Sequence, residues 1–236
     1  CVQYDRLVIF LEESSMPSTT FFNLPEAKRT IIEAAAIREF AAHGFEGAGV
    51  NAIVAGAGIA KGSFYQYFAD KADLFQHVLT LVQRKKLSLA SSLPPTANSR
   101  DIFAYLRWLF QMELLFELRE PELARIEHHA YLQEPDNPRV MGGPEYFNDL
   151  LTQGLLHEDL APYVDTLLAA NVLGGVFHAL GRYLVPRLED RAAAIIEGSV
   201  PLTEEPLAQS LLDNLMEILE AGLARDPAIR KEFFPK

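Results

Sequence analysis

Apolar residues recur at intervals of three and four positions through most of this 236-residue chain. That spacing places apolar side chains on one face of an α-helix, whereas a half-buried strand alternates apolar and polar residues. No segment shows a sustained alternation rich in Val, Ile and Thr. Since 49% of the residues are hydrophobic, the chain can bury a sizeable core. The sequence therefore predicts an all-α protein.

The first third of the chain contains signals for four separate helices. Gly44 and Gly58 are suited to the left-handed conformation that ends a helix, and Asp70 is a good N-cap with Asp73 three residues later. The predicted helices span residues 25–43, 50–57, 61–68 and 71–91.

The run from Ser91 to Pro95 is rich in Ser and Pro and marks the predicted domain boundary. We expect an N-terminal extension over residues 1–24, a helix-turn-helix domain with its connecting helix over 25–92, and a larger helical domain over 93–236. Met16 suggests that residues 1–15 are upstream sequence. Further helical patterns occupy residues 99–119, 121–133, 143–156, 161–185 and 203–224.

The charge is distributed unevenly along the chain. Residues 26–92 hold eight Lys and Arg against six Asp and Glu, whereas the whole chain has a formal net charge of −11. The first third could therefore carry a nucleic-acid surface, and the negative charge of the rest of the chain would repel DNA from the remaining surface. The single cysteine, Cys1, fits a reducing cytoplasm. Asp165 and other polar residues interrupt the apolar stretch 161–185, which favours a buried helix over a membrane span.

Three short helices, the second and third joined by a tight turn containing Gly, are the layout of a DNA-reading helix-turn-helix. In the third helix, Phe64 and Phe68 define the buried side, and small and amide side chains lie opposite, with a tyrosine on each flank. We predict that three residues contact base edges: Gly62, Ser63 and Gln66. Four others are predicted to contact phosphates: Lys61, Tyr65, Tyr67 and Lys71.

Residues 29–75 resemble the DNA-binding domain of the TetR family of transcriptional regulators. The resemblance rests on the string Ala-Gly-Ile-x-Lys-Gly-Ser-Phe-Tyr-x-Tyr-Phe-x-x-Lys over residues 57–71, with Arg29, Ile32, Ala35, Phe40, Gly44, Phe45, Val50, Ile53 and Leu74 at matching places. It implies a homodimeric repressor, or less often an activator. In such a protein a variable C-terminal domain binds a small molecule that releases the dimer from a palindromic operator.

Two positions depart from the family pattern. Members usually carry Thr or Ser just before the second helix and Ser before the third, where this chain has Ala48–Gly49 and Ala60. Loss of a side-chain cap costs about 0.5–2 kcal/mol. We expect these changes to affect operator affinity rather than the fold.

Other functional motifs are weaker. The Gly-rich stretch 56–63 has Lys-Gly-Ser where a phosphate loop needs Gly-Lys-Ser, and no strand pattern precedes it. The adjacent His128 and His129 point about 100° apart on a helix, so they do not share a face for metal binding. No catalytic triad or carboxylate pair follows from the spacing. We expect no enzyme activity, no cofactor and no metal.

The C-terminal domain carries aromatic and polar residues that are candidates for an effector pocket between helices. They are Phe103, Tyr105, Arg107, Trp108, Phe110, Met112, Phe116, Tyr131, Tyr146, Phe147, Phe177 and His178. Such a lining favours an apolar or aromatic effector. Arg107, Arg125 and His178 could pair with an acid group on it.

We also predict a homodimer through the last two long helices. Two apolar stripes lie side by side on the C-terminal helix, one suited to the protein's own core and one to a partner: Leu207, Leu211, Leu215 and Ile218, and Leu212, Met216, Leu219 and Leu223. On the 161–185 helix, Leu167, Gly174 and Gly181 recur every seven residues, where small side chains permit close approach. Two alternatives remain open: a helical sensor or partner-binding protein with little DNA affinity, and an enzyme that modifies a small molecule.

Overall fold

The computed structural model describes residues 17–92, 101–188 and 191–223. Within these ranges the regular structure is helical and contains no β-strand, which confirms the predicted all-α class. The helices are α1 Thr19–Phe22, α2 Glu26–Gly47, α3 Val50–Ala57, α4 Lys61–Tyr67, α5 Lys71–Ser92, α6 Ile102–Arg119, α7 Pro121–Gln133, α8 Pro144–Leu156, α9 Thr166–Leu188, α10 Arg191–Ile196 and α11 Pro206–Leu223, with a 3₁₀ turn at Leu202–Glu204 before α11.

The described residues group into two compact units that are not contiguous along the chain. The first unit combines the residues up to Ser88 with Glu120–Met141, and the second combines Leu89–Arg119 with the residues from Gly142 onward. Helix α7 therefore groups with α1 to α4 and with α5 up to Ser88, although α6 separates it from them in the sequence. The contiguous division after residue 92 stays a prediction about the organisation of the chain.

Helices α2 to α5 of the first unit pack around a core of aliphatic and aromatic side chains. Helix α2 contributes Ile32, Ala36 and Phe40, all fully buried. At Gly44 the backbone leaves the helical region, with φ +66° and ψ −177°, so the long first segment of α2 stops there, as the sequence predicted, and a short second segment runs on to Gly47 across the kink. Gly58, with φ +64° and ψ +32°, ends α3 in the left-handed conformation that the sequence predicted.

Helix α7 packs against α2 through one apolar face, which buries Leu123, Ala124, Ile126 and Ala130. Beside this face the carboxylate of Glu127 forms an ion pair with the ammonium of Lys86, and both side chains are at most 1% exposed. Burial raises the pKa of Glu127, and the positive charge of Lys86 opposes that shift. The Glu127 carboxylate also accepts a hydrogen bond from the Met141 N–H at 3.2 Å. The pair thus links α5, α7 and the end of the segment after α7.

The second unit is built around α9, which packs on α8 and α6. At two glycines, neighbouring side chains come so close to the backbone that a Cβ atom would not fit. A Cβ on Gly181 would collide with the carboxylate of Glu117 on α6, and a Cβ on Gly142, which has φ +80°, would collide with the ring of Phe177. A separate apolar cluster joins α6 and α9 to α10 and α11 through Leu114, Leu115, Leu118, Leu184, Leu188, Ile195, Leu202 and Ala208.

Of the helices in the described ranges, α9 is the one whose length and apolar composition would suffice to cross a membrane. Core helices of water-soluble proteins meet the same two criteria. Its side chains at Ala170, Leu173, Phe177 and Leu184 are buried in the unit, whereas Leu167, Leu168, Val172 and Tyr183 are more than half exposed. One face of α9 is therefore buried, as the sequence predicted, and the other is not.

Candidate nucleic-acid interface

Helix α4 presents the predicted reading surface. Phe64 and Phe68 are 0% and 1% exposed and fix one side of the helix to the core, as predicted. The other side carries Lys61, Gly62, Tyr65 and Gln66, which are exposed, and Ser63, which is half-buried. Nothing lies within 4 Å of a Cβ built on Gly62, so the backbone there is open to a close approach. A cation, a phenol, an amide and bare backbone therefore share one accessible face.

Tyr67 is placed differently from the sequence prediction. We expected both tyrosines to flank the reading surface, but Tyr65 is 54% exposed and Tyr67 only 5%. The ring of Tyr67 lies 6.2 Å from that of Phe21, a residue of α1. Because α1 was not predicted, the side of α4 that it covers was interpreted as free. The phosphate contact of Tyr67 stays a prediction, and the exposed Tyr65 is the better placed of the two tyrosines.

The two positions without hydroxyl caps behave differently. Ala60 is the N-cap of α4, with extended φ and ψ of −71° and 147° and no side-chain cap, as predicted. At the start of α3, the N-cap is Gly49, and its N–H donates to Glu39 Oε1 at 3.0 Å. A carboxylate from α2 thus lies at the positive end of α3. Ala48 is buried, at 4% exposed, so its side chain belongs to the core.

Lys71 makes contacts within the protein that sequence reasoning did not anticipate. Its ammonium donates to the carbonyl oxygens of Phe45, Ala48 and Glu46 at 2.7, 3.1 and 3.3 Å. It also lies 4.6 Å from the centroid of the Phe45 ring. These contacts hold the start of α5 to the end of α2. The phosphate contact of Lys71 stays a prediction, and it would require the ammonium to give up one of these carbonyls.

The predicted cap of α5 is present. The Asp73 N–H donates to Asp70 Oδ1 at 2.8 Å, and Asp73 Oδ2 accepts from the Ala69 N–H at 2.9 Å. Two side chains three residues apart thus satisfy backbone donors at the start of this helix. These local hydrogen bonds fix the turn between α4 and α5, and Lys71 holds the start of α5 to the end of α2.

Helix α1 contacts the end of α4 and was missed in the sequence. Ser18, just before α1, donates its hydroxyl to the carbonyl of Gln66 at 2.6 Å and its N–H to the carbonyl of Tyr67 at 2.9 Å. Phe21 is fully buried, 4.9 Å from Phe68 and 5.3 Å from His77 between ring centroids. The only sequence signal was the apolar Phe-Phe pair in a polar stretch.

The candidate effector residues fall into several groups. Phe110, Phe147 and Phe177 meet in the second unit, with Phe177 5.7 and 5.6 Å from the other two rings. All three are fully buried, as are Met112 and Phe116. Tyr131 belongs to the first unit, so the structure does not group it with them. His178 is 3% exposed, and Phe103 is half-buried.

Polar candidates in the second unit are already engaged. The Tyr105 and Tyr146 hydroxyls are 3.0 Å apart, and Trp108 stacks on Tyr105. Burial, with the neighbouring Tyr105, raises the pKa of Tyr146 well above its usual value. Arg107 pairs with Asp213 at 2.6 Å and donates to Gln209 at 2.8 Å. An acidic ligand would have to compete with Asp213 for this guanidinium.

In the described part of the chain, no three His, Cys, Asp or Glu side chains are arranged to hold a metal ion. His128 and His129 lie on consecutive positions of α7 with ring centroids 6.5 Å apart.

A second surface of interest is an open groove of about 680 Å³ between the start of α9 and the end of α11. Leu168, Val172 and Ile218 line it and are 65%, 55% and 69% exposed. On α11 the stripe of Leu212, Met216 and Leu219 is buried in its own unit. In the other stripe Ile218 is exposed, whereas Leu207, Leu211 and Leu215 are half-buried and the first two pack on the apolar cluster of their own unit. That this stripe meets a partner stays a prediction.

The small-residue stripe of α9 needs a correction. Gly174 and Gly181 were predicted to face a partner, but both are buried within their own unit, Gly181 against Glu117. Gly175 is the exposed glycine, with nothing within 4 Å of an added Cβ. The outward face of α9 is therefore rotated by one residue from the predicted stripe.

In the described residues the chain is all-helical and presents an exposed short helix after a tight turn that contains Gly58, which is the layout of a DNA-binding helix-turn-helix. A family model for bacterial regulatory proteins of the tetR family matches residues 32–78. The chain is also 37% identical to a TetR family transcriptional regulator from Chloroflexus aurantiacus J-10-FL. That crystal structure superposes with a TM-score of 0.72 over 89% of this chain and 100% of the other. The protein belongs to the TetR family of transcriptional regulators.

Two further relatives match less of the sequence. The HTH-type transcriptional repressor SCO4008 of Streptomyces coelicolor is 36% identical over 102 residues, which are 43% of this chain and 48% of that repressor. The match thus spans about half the length of that relative. A gamma-butyrolactone receptor described as ArpA-like is 26% identical, over 82% of this chain and 98% of its own, with a TM-score of 0.53.

Proposed function

We propose that this regulator is a repressor that binds a palindromic operator as a homodimer in the cytoplasm and is released by a small molecule. The observation that carries the proposal is the exposed face of α4. It combines a positive charge at Lys61 with an amide at Gln66 on a helix fixed from behind by Phe64 and Phe68. A helix held this way can enter the major groove and read base edges.

Within that interface, Gln66 is proposed to pair with adenine, which offers a donor and an acceptor to an amide in the major groove. Gly62 and Ser63 are also proposed to contact base edges, because Gly62 is exposed on the same face of α4 and Ser63 is half-buried beside it. Lys61 and Tyr65 are proposed to contact phosphates, because both are exposed and carry donors. The main role proposed for Lys71 is to hold the start of α5 to the end of α2, since its ammonium already donates to three carbonyls there.

A second copy of the chain is the proposed occupant of the groove between α9 and α11. The groove is lined by apolar side chains that a monomer would leave in water, and it runs along the helices whose stripes predicted a partner. Two-fold pairing would place the two α4 helices about one DNA turn, ~34 Å, or a multiple of it apart. A palindromic operator follows from that symmetry.

The effector is proposed to be an apolar or aromatic molecule bound in the second unit. Support comes from the ring cluster of Phe110, Phe147 and Phe177 and from the paired hydroxyls of Tyr105 and Tyr146. The relative described as a gamma-butyrolactone receptor shows that a protein of similar fold takes a small organic ligand.

A gel-shift with DNA from the intergenic region upstream of the protein's own gene tests DNA binding. Wild-type protein should shift a discrete fragment, and Gln66→Ala should weaken the shift. Gln153→Ala, at an exposed glutamine on α8, is the matched control and should bind as wild type. No shift by the wild-type protein on any fragment would favour the alternative of a sensor without DNA affinity.

Sedimentation equilibrium tests the dimer. The wild-type protein should be a dimer at micromolar concentration, and Val172→Asp or Ile218→Asp should move it toward monomer, since each places a charge in the groove. Leu156→Asp is the control, because Leu156 is 71% exposed but lies outside the groove. A monomeric wild-type protein, or equal effects of all three variants, would contradict the proposed interface.

A further inference from the structure

Helix α4 is too short to be stable on its own. It has seven residues, whereas isolated helices shorter than about 12–15 residues are marginal in water. Its N-cap, Ala60, supplies no side-chain acceptor. The position of the reading face must therefore be fixed largely by what holds the helix from outside.

Among the described residues, Ser18, which precedes the helix-turn-helix, binds the last carbonyls at the C-terminal end of α4. Phe21 packs its ring on those of Tyr67 and Phe68 at the same end. The last carbonyls of a helix have no partner within it. Ser18 satisfies two of them, with its hydroxyl on Gln66 O at 2.6 Å and its N–H on Tyr67 O at 2.9 Å. Gln66 is the residue whose exposed amide is proposed to read a base, and its own carbonyl is one of the two that Ser18 binds.

The segment that carries Ser18 is itself anchored at its other end. Phe21 is fully buried against Phe68 and His77. Arg29 of α2 donates to the carbonyls of Phe22 and Leu24, both at 2.8 Å. Ser18 is thus tied to α2 by a short, packed stretch of chain and is not a loose end resting on α4.

We propose that Ser18 is a positioning residue for operator recognition, because it fixes the C-terminal end of α4 and with it the direction of the Gln66 side chain. The proposal rests on the proposed function of α4 in DNA binding. Ser18 acts through Gln66 and need not touch DNA. It should therefore matter for discrimination between sequences more than for attraction to DNA, which depends on charge.

A graded series of full-length variants tests this. Ser18→Ala removes the hydroxyl bond. Ser18→Pro removes both bonds while fitting the local backbone, since φ of Ser18 is −55° and proline requires about −65°. Ser18→Thr keeps both donors and is the rescue variant. Thr30→Ala is the control, because Thr30 also donates a hydroxyl to a backbone carbonyl in this unit, that of Glu26, away from α4.

Operator affinity should fall about threefold to tenfold in Ser18→Ala and further in Ser18→Pro, the range that one or two hydrogen bonds supply. Affinity for a scrambled duplex should stay within about twofold, and Ser18→Thr and Thr30→Ala should match wild type. Unchanged operator affinity in Ser18→Pro would overturn the proposal. Equal losses on operator and scrambled DNA would also overturn it, because they would show a general loss of folded domain.

Hydrogen exchange separates a failure of this proposal from a failure of DNA binding. Amides of α4 should exchange faster in Ser18→Pro than in wild type, with α3 and α5 little changed, whether or not DNA binds. If wild-type protein binds no operator but this exchange pattern appears, the proposed function fails and the restraint on α4 stands. If exchange in α4 does not change, Ser18 does not position the helix.

Discussion

Lys71 either stabilises the fold through its carbonyl contacts or neutralises a DNA phosphate, and a substitution that removes only its charge distinguishes the two roles. The structure shows three hydrogen bonds from its ammonium to the carbonyls of Phe45, Glu46 and Ala48. Hydrogen bonds to charged groups contribute about 1.5–3 kcal/mol each when well formed, but bonds that share one donor group are not additive and Lys71 is half-exposed. We therefore expect Lys71→Met, which keeps the aliphatic stem, to lower the free energy of unfolding by about 2 kcal/mol.

Two measurements follow from that value. For a chain of this size a decrease of 1 kcal/mol lowers the melting temperature by about 2–4 °C, so Lys71→Met should melt about 4–8 °C lower. If the ammonium remains on the carbonyls in the complex, the slope of log affinity against log salt should not change. Lys61→Met is the matched control, since Lys61 is exposed on α4. It should melt as wild type and flatten the slope by about 0.9 for each phosphate that the variant no longer neutralises.

The opposite pattern would refute this reasoning. A Lys71→Met variant with an unchanged melting temperature and a flattened salt slope would show that the ammonium leaves the carbonyls for a phosphate, as the sequence alone suggested.

Ala60→Ser should raise stability by about 1 kcal/mol or less, because the N-cap backbone of α4 is already extended and lacks only an acceptor; an equal or lower melting temperature would contradict this. Gln66→Ala should cost about 1–3 kcal/mol of operator binding and relax preference at one base pair per half-site with the salt slope unchanged, and equal weakening on all operator variants would show that Gln66 reads no base. Glu127→Gln should lower stability by about 3–5 kcal/mol by removing the negative charge that balances the buried Lys86 ammonium, and adding Lys86→Met to Glu127→Gln should recover much of it; additive effects of these two substitutions in a double-mutant cycle would refute the coupling.

Helix positions were well predicted wherever a local signal marks them. The bounds of α3 and α7 match the predicted 50–57 and 121–133, and those of α4 and α5 differ by one residue at most. The signals at Gly58, Pro121 and Asp70 are local, because each residue ends or begins a helix within a few positions of itself. The prediction is less accurate at α9, predicted over 161–185 and observed at Thr166–Leu188. The helix begins only after Asp165, whose carboxylate accepts from the N–H groups of Leu167 and Leu168, and Pro186 does not end it.

Long-range contacts could not be predicted in the same way. Helix α1 has four residues, too few to show a period, and its stability comes from Phe21 packing on residues far along the chain. The burial of Tyr67 and the carbonyl contacts of Lys71 follow from such neighbours. The partner-facing side of α9 was wrongly assigned, because a seven-residue repeat shows which residues share a face of the helix but not whether that face packs on the same unit or on a second copy.

The placement of α7 in the first compact unit bears on how such regulators can be recombined. A hybrid protein joined just after residue 92 would carry α2 to α5 but replace the helix that covers α2. It would expose the surface on which Leu123, Ile126 and Ala130 pack and would remove Glu127, the ion-pair partner of the Lys86 ammonium. A hybrid that takes its second unit from another protein should therefore fold only when Glu120–Met141 is kept with α1 to α5, so the gene for a complete first unit consists of two separate pieces.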